Sequence, residues 1–192
     1  MIEGGASRNF LHTKTLMYRD SGAWEALMQR FVRAITLYLN AQIAAGAQCV
    51  QLFDSWVGCL GLDDYRAYVL PYVQKIMSGL TPGVPVISFA TGNPALLQVL
   101  AEAGPTVVGV DWRIRLSEAW DRVGPEFAVQ GNLDPACLLS TPDDICRRAQ
   151  EILQQAAGRP GHIFNLGHGI LPQTPVDNVR RLVEFVQEAT QR

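Results

Sequence analysis

His168 stands between Gly167 and Gly169. Glycine on both sides lets the backbone turn tightly and lets a ligand approach the main chain, while imidazole can donate, accept or carry charge near neutral pH. The residues alone leave several readings open: a ligand-binding histidine, a structural one, or a Gly167/Gly169 cradle for phosphate of the kind found after the last strands of α/β barrels. Ser55 follows a β-rich run but has no G-x-S-x-G elbow around it, so its chemistry is hydrogen bonding rather than nucleophilic attack. Asp54, Asp111 and Asp134 occupy comparable turns, where capping is a commoner occupation than catalysis. Trp56 and Trp112 read as pocket wall or core. Cys49, Cys59, Cys137 and Cys146 form no C-x-x-C pair, which favours buried reduced thiols over a disulfide framework or a zinc cluster.

These groups need a scaffold, and the chain spells one out. Five β-rich runs, Cys49 to Phe53, Val84 to Ala90, Thr106 to Trp112, Phe127 to Gly131 and His162 to Leu166, each end in small or polar residues and read as buried strands. Helical spacing fills every interval between them, so the pattern is strand, loop, helix, repeated. Thr141-Pro142 and Thr174-Pro175 place a hydroxyl before a first-turn proline, with Asp143, Asp144 and Asp177 where the helix dipole favours negative charge. The apolar stripes that follow, Ile145, Ala149, Ile152 and Leu153, then Val179, Leu182, Val183 and Val186, are expected to face a sheet. A long helix from Trp24 to Ala44, with Leu27, Phe31, Ile35 and Leu39 on one side and Gly46 at its end, precedes the first strand as its crossover.

Repeated right-handed βα units build a parallel sheet, either open and doubly wound or closed as a (β/α)8 barrel. No G-x-G-x-x-G turn opens a dinucleotide fold. Polar groups instead follow every strand, at Asp54-Ser55, Thr91-Gly92, Asp111-Trp112, Gln130-Gly131-Asn132 and Gly167-His168-Gly169, the distribution a barrel's active face needs. The length of 192 residues suits one domain, with 1–46 as leading helices and 47–192 as five βα units. Sixteen Lys and Arg against eighteen Asp and Glu leave a net charge of -2, which argues against nucleic acid as partner. No apolar stretch is long enough for a bilayer span and the first residues lack the marks of an export signal, so a cytoplasmic location is expected.

Four ordered runs carry a resemblance: Val50-Gln51-Leu52-Phe53-Asp54-Ser55-Trp56-Val57-Gly58, Gly109-Val110-Asp111-Trp112-Arg113, Gln130-Gly131-Asn132-Leu133-Asp134-Pro135, and Phe164-Asn165-Leu166-Gly167-His168-Gly169-Ile170. Together they resemble the uroporphyrinogen decarboxylases, and Met1-Ile2-Glu3-Gly4-Gly5-Ala6-Ser7 resembles that family's mid-chain glutamate-glycine-glycine turn. The resemblance implies a (β/α)8 barrel of which this chain supplies the last five units. It also implies a cytoplasmic homodimer that uses neither metal nor organic cofactor and converts uroporphyrinogen III to coproporphyrinogen III by releasing four carbon dioxide molecules in haem biosynthesis.

Residue by residue, the resemblance implies that Ser55 and His168 bind the tetrapyrrole substrate. The family's catalytic aspartate, its arginine-rich loop and a tyrosine before the glycine turn lie upstream of Met1, so no catalytic residue is expected within the chain. An inactive fragment or a split subunit of that enzyme is therefore the alternative expectation. A corrinoid-linked, zinc-dependent methyltransferase of the same superfamily is a further one, although Phe89-Ala90-Thr91-Gly92 lacks the His-x-Cys pair such enzymes use. A substrate with eight carboxylates asks for several guanidinium partners, and the post-strand loops offer Arg113, Arg115 and His168 as cations.

Overall fold

All five predicted strands form, and a computed structural model describing residues 2–191 shows them side by side in chain order within one parallel sheet. They are β1 (Val50–Asp54), β2 (Val86–Ala90), β3 (Val107–Gly109), β4 (Ala128–Leu133) and β5 (His162–Leu166). Register runs from Val50 opposite Val86 and Asp54 opposite Ala90, through Phe89 opposite Gly109 and Gly109 opposite Gln130, to Leu133 opposite Leu166. The sheet does not close, because β1 and β5 are its two edges. This is the incomplete α/β barrel that the resemblance implies. Met1 and Arg192, the ends of the predicted 1–192 unit, lie outside the described residues.

Helices α1 (Leu11–Arg19) and α2 (Ser21–Ala44) precede β1, and α3 (Leu62–Tyr68) with α4 (Leu70–Ser78) joins it to β2. The remaining crossovers hold α5 (Leu97–Ala101), α6 (Leu116–Val123) and α7 (Pro142–Ala156), and α8 (Val176–Thr190) follows β5. Asp20 caps α2 by accepting from the Ala23 amide at 2.8 Å, so the helix starts three residues before the predicted Trp24. Among the described residues, no helix is long and apolar enough to cross a membrane.

Side-chain alternation sorts each strand onto two faces. Val108, Val110, Val129 and Leu133 point outward into a core shared with Leu116, Ala119, Trp120, Ile145, Ala149 and Ile152 of α6 and α7. Phe53, Phe89, Gln51 and Gln130 point the other way, toward the hollow of the curved sheet, where the Phe53 and Phe89 rings meet edge to face at 5.9 Å. Gly109 makes room there, because a Cβ would stand 2.7 Å from the Phe89 ring.

Several expectations are corrected. The central strands β2 and β3 are buried throughout, but β1 and β5 are not: Phe53 is 64% exposed and Ile163 41%. Each edge strand has only one paired flank and one covered face. Thr141 caps α7 as expected, accepting from the Asp144 amide, whereas Thr174 does not cap α8. There the cap position falls on Pro175, and the Thr174 hydroxyl is buried without a partner. The stripe of α8 packs chiefly against α7 instead of the sheet, with Phe185 in contact and Val183 exposed. Of the four free thiols only Cys137 is buried, and Cys49 is exposed.

Candidate functional site

Parallel strands send all their carboxyl ends to one rim, and the loops gather there. Ser55, just past β1, and His168, just past β5, open into the same cleft of about 420 Å³, lined also by Phe10, Thr91, Gly92, Trp112 and Arg113. The two residues singled out for binding are thus brought together from opposite edges of the sheet.

Hydrogen bonds tie the loops to one another. Thr91 Oγ1 donates to the Ser55 carbonyl at 2.7 Å, joining the ends of β2 and β1. Gly58 lies so close to Thr91 and Gly92 that a Cβ there would overlap their backbone. Asp111, 5% exposed, accepts from the Gly92 amide at 2.7 Å, from the Arg113 amide at 2.9 Å and from the Arg113 guanidinium at 2.7 Å. Asn132 completes the knot by donating to the carbonyls of Asp111 and Ile114 at 2.9 and 2.7 Å. Asp111 therefore ties the loops after β2 and β3 to each other and to β4 and caps no helix, which corrects the commoner reading of its position. Asp134 does cap, accepting from the Ala136 amide at 2.9 Å.

Held this way, the Arg113 guanidinium lies 4.1 Å over the Trp112 ring, and Trp112 meets the His168 ring edge to face at 6.3 Å. His168 also lies 6.3 Å from the Phe89 ring, which fixes it to the hollow side of the sheet. Gly167 is required locally, since a Cβ would stand 2.6 Å from the Trp112 amide nitrogen. A hydroxyl, an exposed imidazole and a guanidinium thus rim a cleft floored by flat aromatic surfaces. Such a set holds carboxylates at its edge and a planar ring against its walls. Trp56 is cleft wall rather than core, 74% exposed with Phe10 beside it at 6.4 Å. Thr91 and Gly92 stand on the rim where the post-strand pattern put them; sequence reasoning missed Phe10 and the bridging role of Asp111, for which the Asp-x-Arg spacing of Asp111 and Arg113 was the available signal.

Asp54 faces away from this cleft, toward a larger cavity of about 770 Å³ between residues 2–17, α2 and the end of β1. It caps nothing, and burial alone pushes its carboxyl up to about 6. Among the described residues no cluster of three or more His, Cys, Asp or Glu is placed to hold a metal ion.

Fold and rim together define the class: βα units of an α/β barrel with a cleft at the carboxyl ends of the strands. The uroporphyrinogen decarboxylase (URO-D) family profile matches residues 1–189, and the chain belongs to that family. It is 53% identical over 193 aligned positions to the uroporphyrinogen decarboxylase of Roseiflexus sp. (strain RS-1), an alignment spanning 97% of this chain and 56% of that protein. The Sorangium cellulosum (strain So ce56) enzyme is also 53% identical, with 97% and 54% covered. The chain therefore spans about half the length of these relatives. Among solved structures, a methyltransferase from Methanosarcina mazei superposes with a TM-score of 0.84 at 22% identity, covering 94% of this chain and 54% of that one. A putative vitamin-B12 independent methionine synthase from Listeria monocytogenes gives 0.68 at 11% identity, covering 93% of this chain and 62% of its own. Both show the shared fold.

Proposed function

We propose that this chain is the carboxyl-terminal, substrate-binding part of a uroporphyrinogen decarboxylase, the enzyme that removes four acetate carboxyls from uroporphyrinogen III as carbon dioxide and leaves coproporphyrinogen III. The observation that carries the reading is the convergence of Ser55 and His168 on one cleft whose walls are Phe10, Trp112 and Arg113. Its chemistry is complementary to a macrocycle with acidic arms. Ser55 donates a hydrogen bond to a carboxylate, and His168 does the same with added charge when protonated. Arg113 supplies a permanent cation at the same rim, oriented by its ion pair with Asp111.

The reaction is proton chemistry on the substrate's own ring. Protonation at a pyrrole α-carbon creates a cation that accepts the electron pair released as each carbon dioxide leaves; a second proton then adds to the resulting methylene to complete the methyl group, and the α-carbon gives its own proton back, which restores the pyrrole. The protein's part is to bind, orient and stabilise developing charge, which requires no cofactor. This chain's residues contribute binding and orientation. The catalytic aspartate that the resemblance places facing the pyrrole nitrogens is expected in the part of the relatives that this chain does not match. The chain is thus proposed to be inactive alone and to work within the complete barrel, a cytoplasmic homodimer.

Incubating the chain with uroporphyrinogen III, alone and with a separately produced amino-terminal part of the Roseiflexus relative, tests this directly. Coproporphyrinogen III is expected only in the mixture. Turnover by the chain alone refutes the division of labour, and a mixture that stays inactive although the two parts associate refutes the decarboxylase reading. The 53% identity to decarboxylases favours this reading over a methyltransferase, for which the similarity is 22% and confined to the fold.

A further inference from the structure

A third pocket, of about 550 Å³, opens between α6, α7 and the loops that follow β3 and β4. We infer that it binds a compact multivalent anion through Arg113, Arg115, Arg122 and Arg148. The acidic groups on its wall are already engaged. Glu118 pairs with Arg122 at 2.7 Å, Glu151 pairs with Arg147 at 2.8 Å, and Asp134 accepts from the Ala136 amide at 2.9 Å. Arg115 and Arg148, by contrast, have no acidic partner within 4 Å among the described residues. Arg113 and Arg122 are compensated by Asp111 and Glu118, whereas Arg115 and Arg148 keep all their fork donors free for an anion in the same hollow.

The backbone adds to this field. Arg115, on the pocket wall, occupies the cap position of α6 and makes no side-chain cap, so the positive end of that helix stays uncapped by a side chain beside it. Trp112 and Arg113 are shared with the Ser55 and His168 cleft, which makes them a common wall between two acid-binding hollows. Asp111 holds the Arg113 guanidinium itself through one of its terminal nitrogens, at 2.7 Å. The inference does not depend on which ligand the first cleft takes. Guanidinium forks suit both carboxylate and phosphate, so the shared chemistry is a small molecule with two or more such groups.

Calorimetric titration of the intact chain at low ionic strength with tricarballylate, and separately with inorganic pyrophosphate, tests the site. Saturable binding of at least one probe is expected, and tighter binding of one or the other identifies a carboxylate or a phosphate ligand. The double substitution Arg115→Ala and Arg148→Ala should weaken it by about tenfold or more, the loss expected for charge-assisted hydrogen bonds. Removing the same charge from α2, with Arg30→Ala and Arg33→Ala, should leave it unchanged. All four arginines are exposed, and circular dichroism verifies that the variants keep the fold. Absence of saturable binding of both probes overturns the inference. So does an Arg115/Arg148 variant that binds like the parent, or an α2 control that loses as much.

Discussion

Replacing Asp54 with Asn should stabilise the chain above pH 6 and scarcely affect it near pH 4. Burial raises the Asp54 carboxyl from its ordinary 3.8 to about 6, and among the described residues no hydrogen bond or cation offsets the cost. Between those two values the folded chain keeps a proton that the unfolded chain releases. The folded state therefore binds more protons, and stability falls as pH rises through the window. At 1.36 kcal/mol per pKa unit, the full shift amounts to an upper bound of about 3 kcal/mol at neutral pH, shrinking to less than about 1 kcal/mol at pH 4. For a chain of this size the gain corresponds to a rise in Tm of roughly 6 to 12 °C. Asn preserves the shape of the side chain and cannot ionise. The assay is urea unfolding of parent and variant side by side from pH 4 to 8, so that contributions from other titrating groups cancel in the difference. A variant no more stable than the parent at pH 7.5, or a gain of equal size at pH 4 and 7.5, refutes the assignment of Asp54 as an uncompensated carboxylate.

Gly167→Ala should cost about 1 to 3 kcal/mol, because the added methyl meets the Trp112 backbone 2.6 Å away, and it should also lower porphyrin affinity by moving His168; urea unfolding and fluorescence titration report the two effects. Asn178 donates to the carbonyls of Leu138 and Ser140 at 2.8 and 3.1 Å, so Asn178→Ala should cost about 1 to 3 kcal/mol in the same unfolding measurement. His162 has its pKa held below 6.5, chiefly by burial and against the hydrogen bond to the Gly131 carbonyl. Its folded form resists protonation, so it contributes stability that is present above pH 6.5 and lost as pH falls below that value. The neutral donor in His162→Gln should flatten that loss when stability is followed from pH 7 to 5.

Local signals explain what could be read from the chain. Strand runs, the Thr141-Pro142 helix start and the glycine-flanked His168 each depend on neighbours a few residues away, and each forms where expected. The repeated Thr-Pro signal misled at Thr174 because the preceding backbone closes a turn, with the Thr174 amide donating to Leu171, and the helix begins beyond Pro175. Edge strands were misread for a different reason: apolar runs such as Val50 to Phe53 encode two faces to be covered, but coverage depends on what lies alongside. Long-range bonds escaped altogether. Asp111 reaches back to Gly92 and is itself gripped by Asn132, and no spacing rule links those three positions.

Mapping backbone amide shifts as uroporphyrin is added to the isotopically labelled chain bears most directly on the central claim. Binding through the proposed cleft should perturb Ser55, Thr91–Gly92, Trp112–Arg113 and Gly167–Gly169 together, and Ser55→Ala and His168→Gln should each weaken it. Shifts confined to the amino ends of the strands, or affinity untouched by both substitutions, would contradict the account.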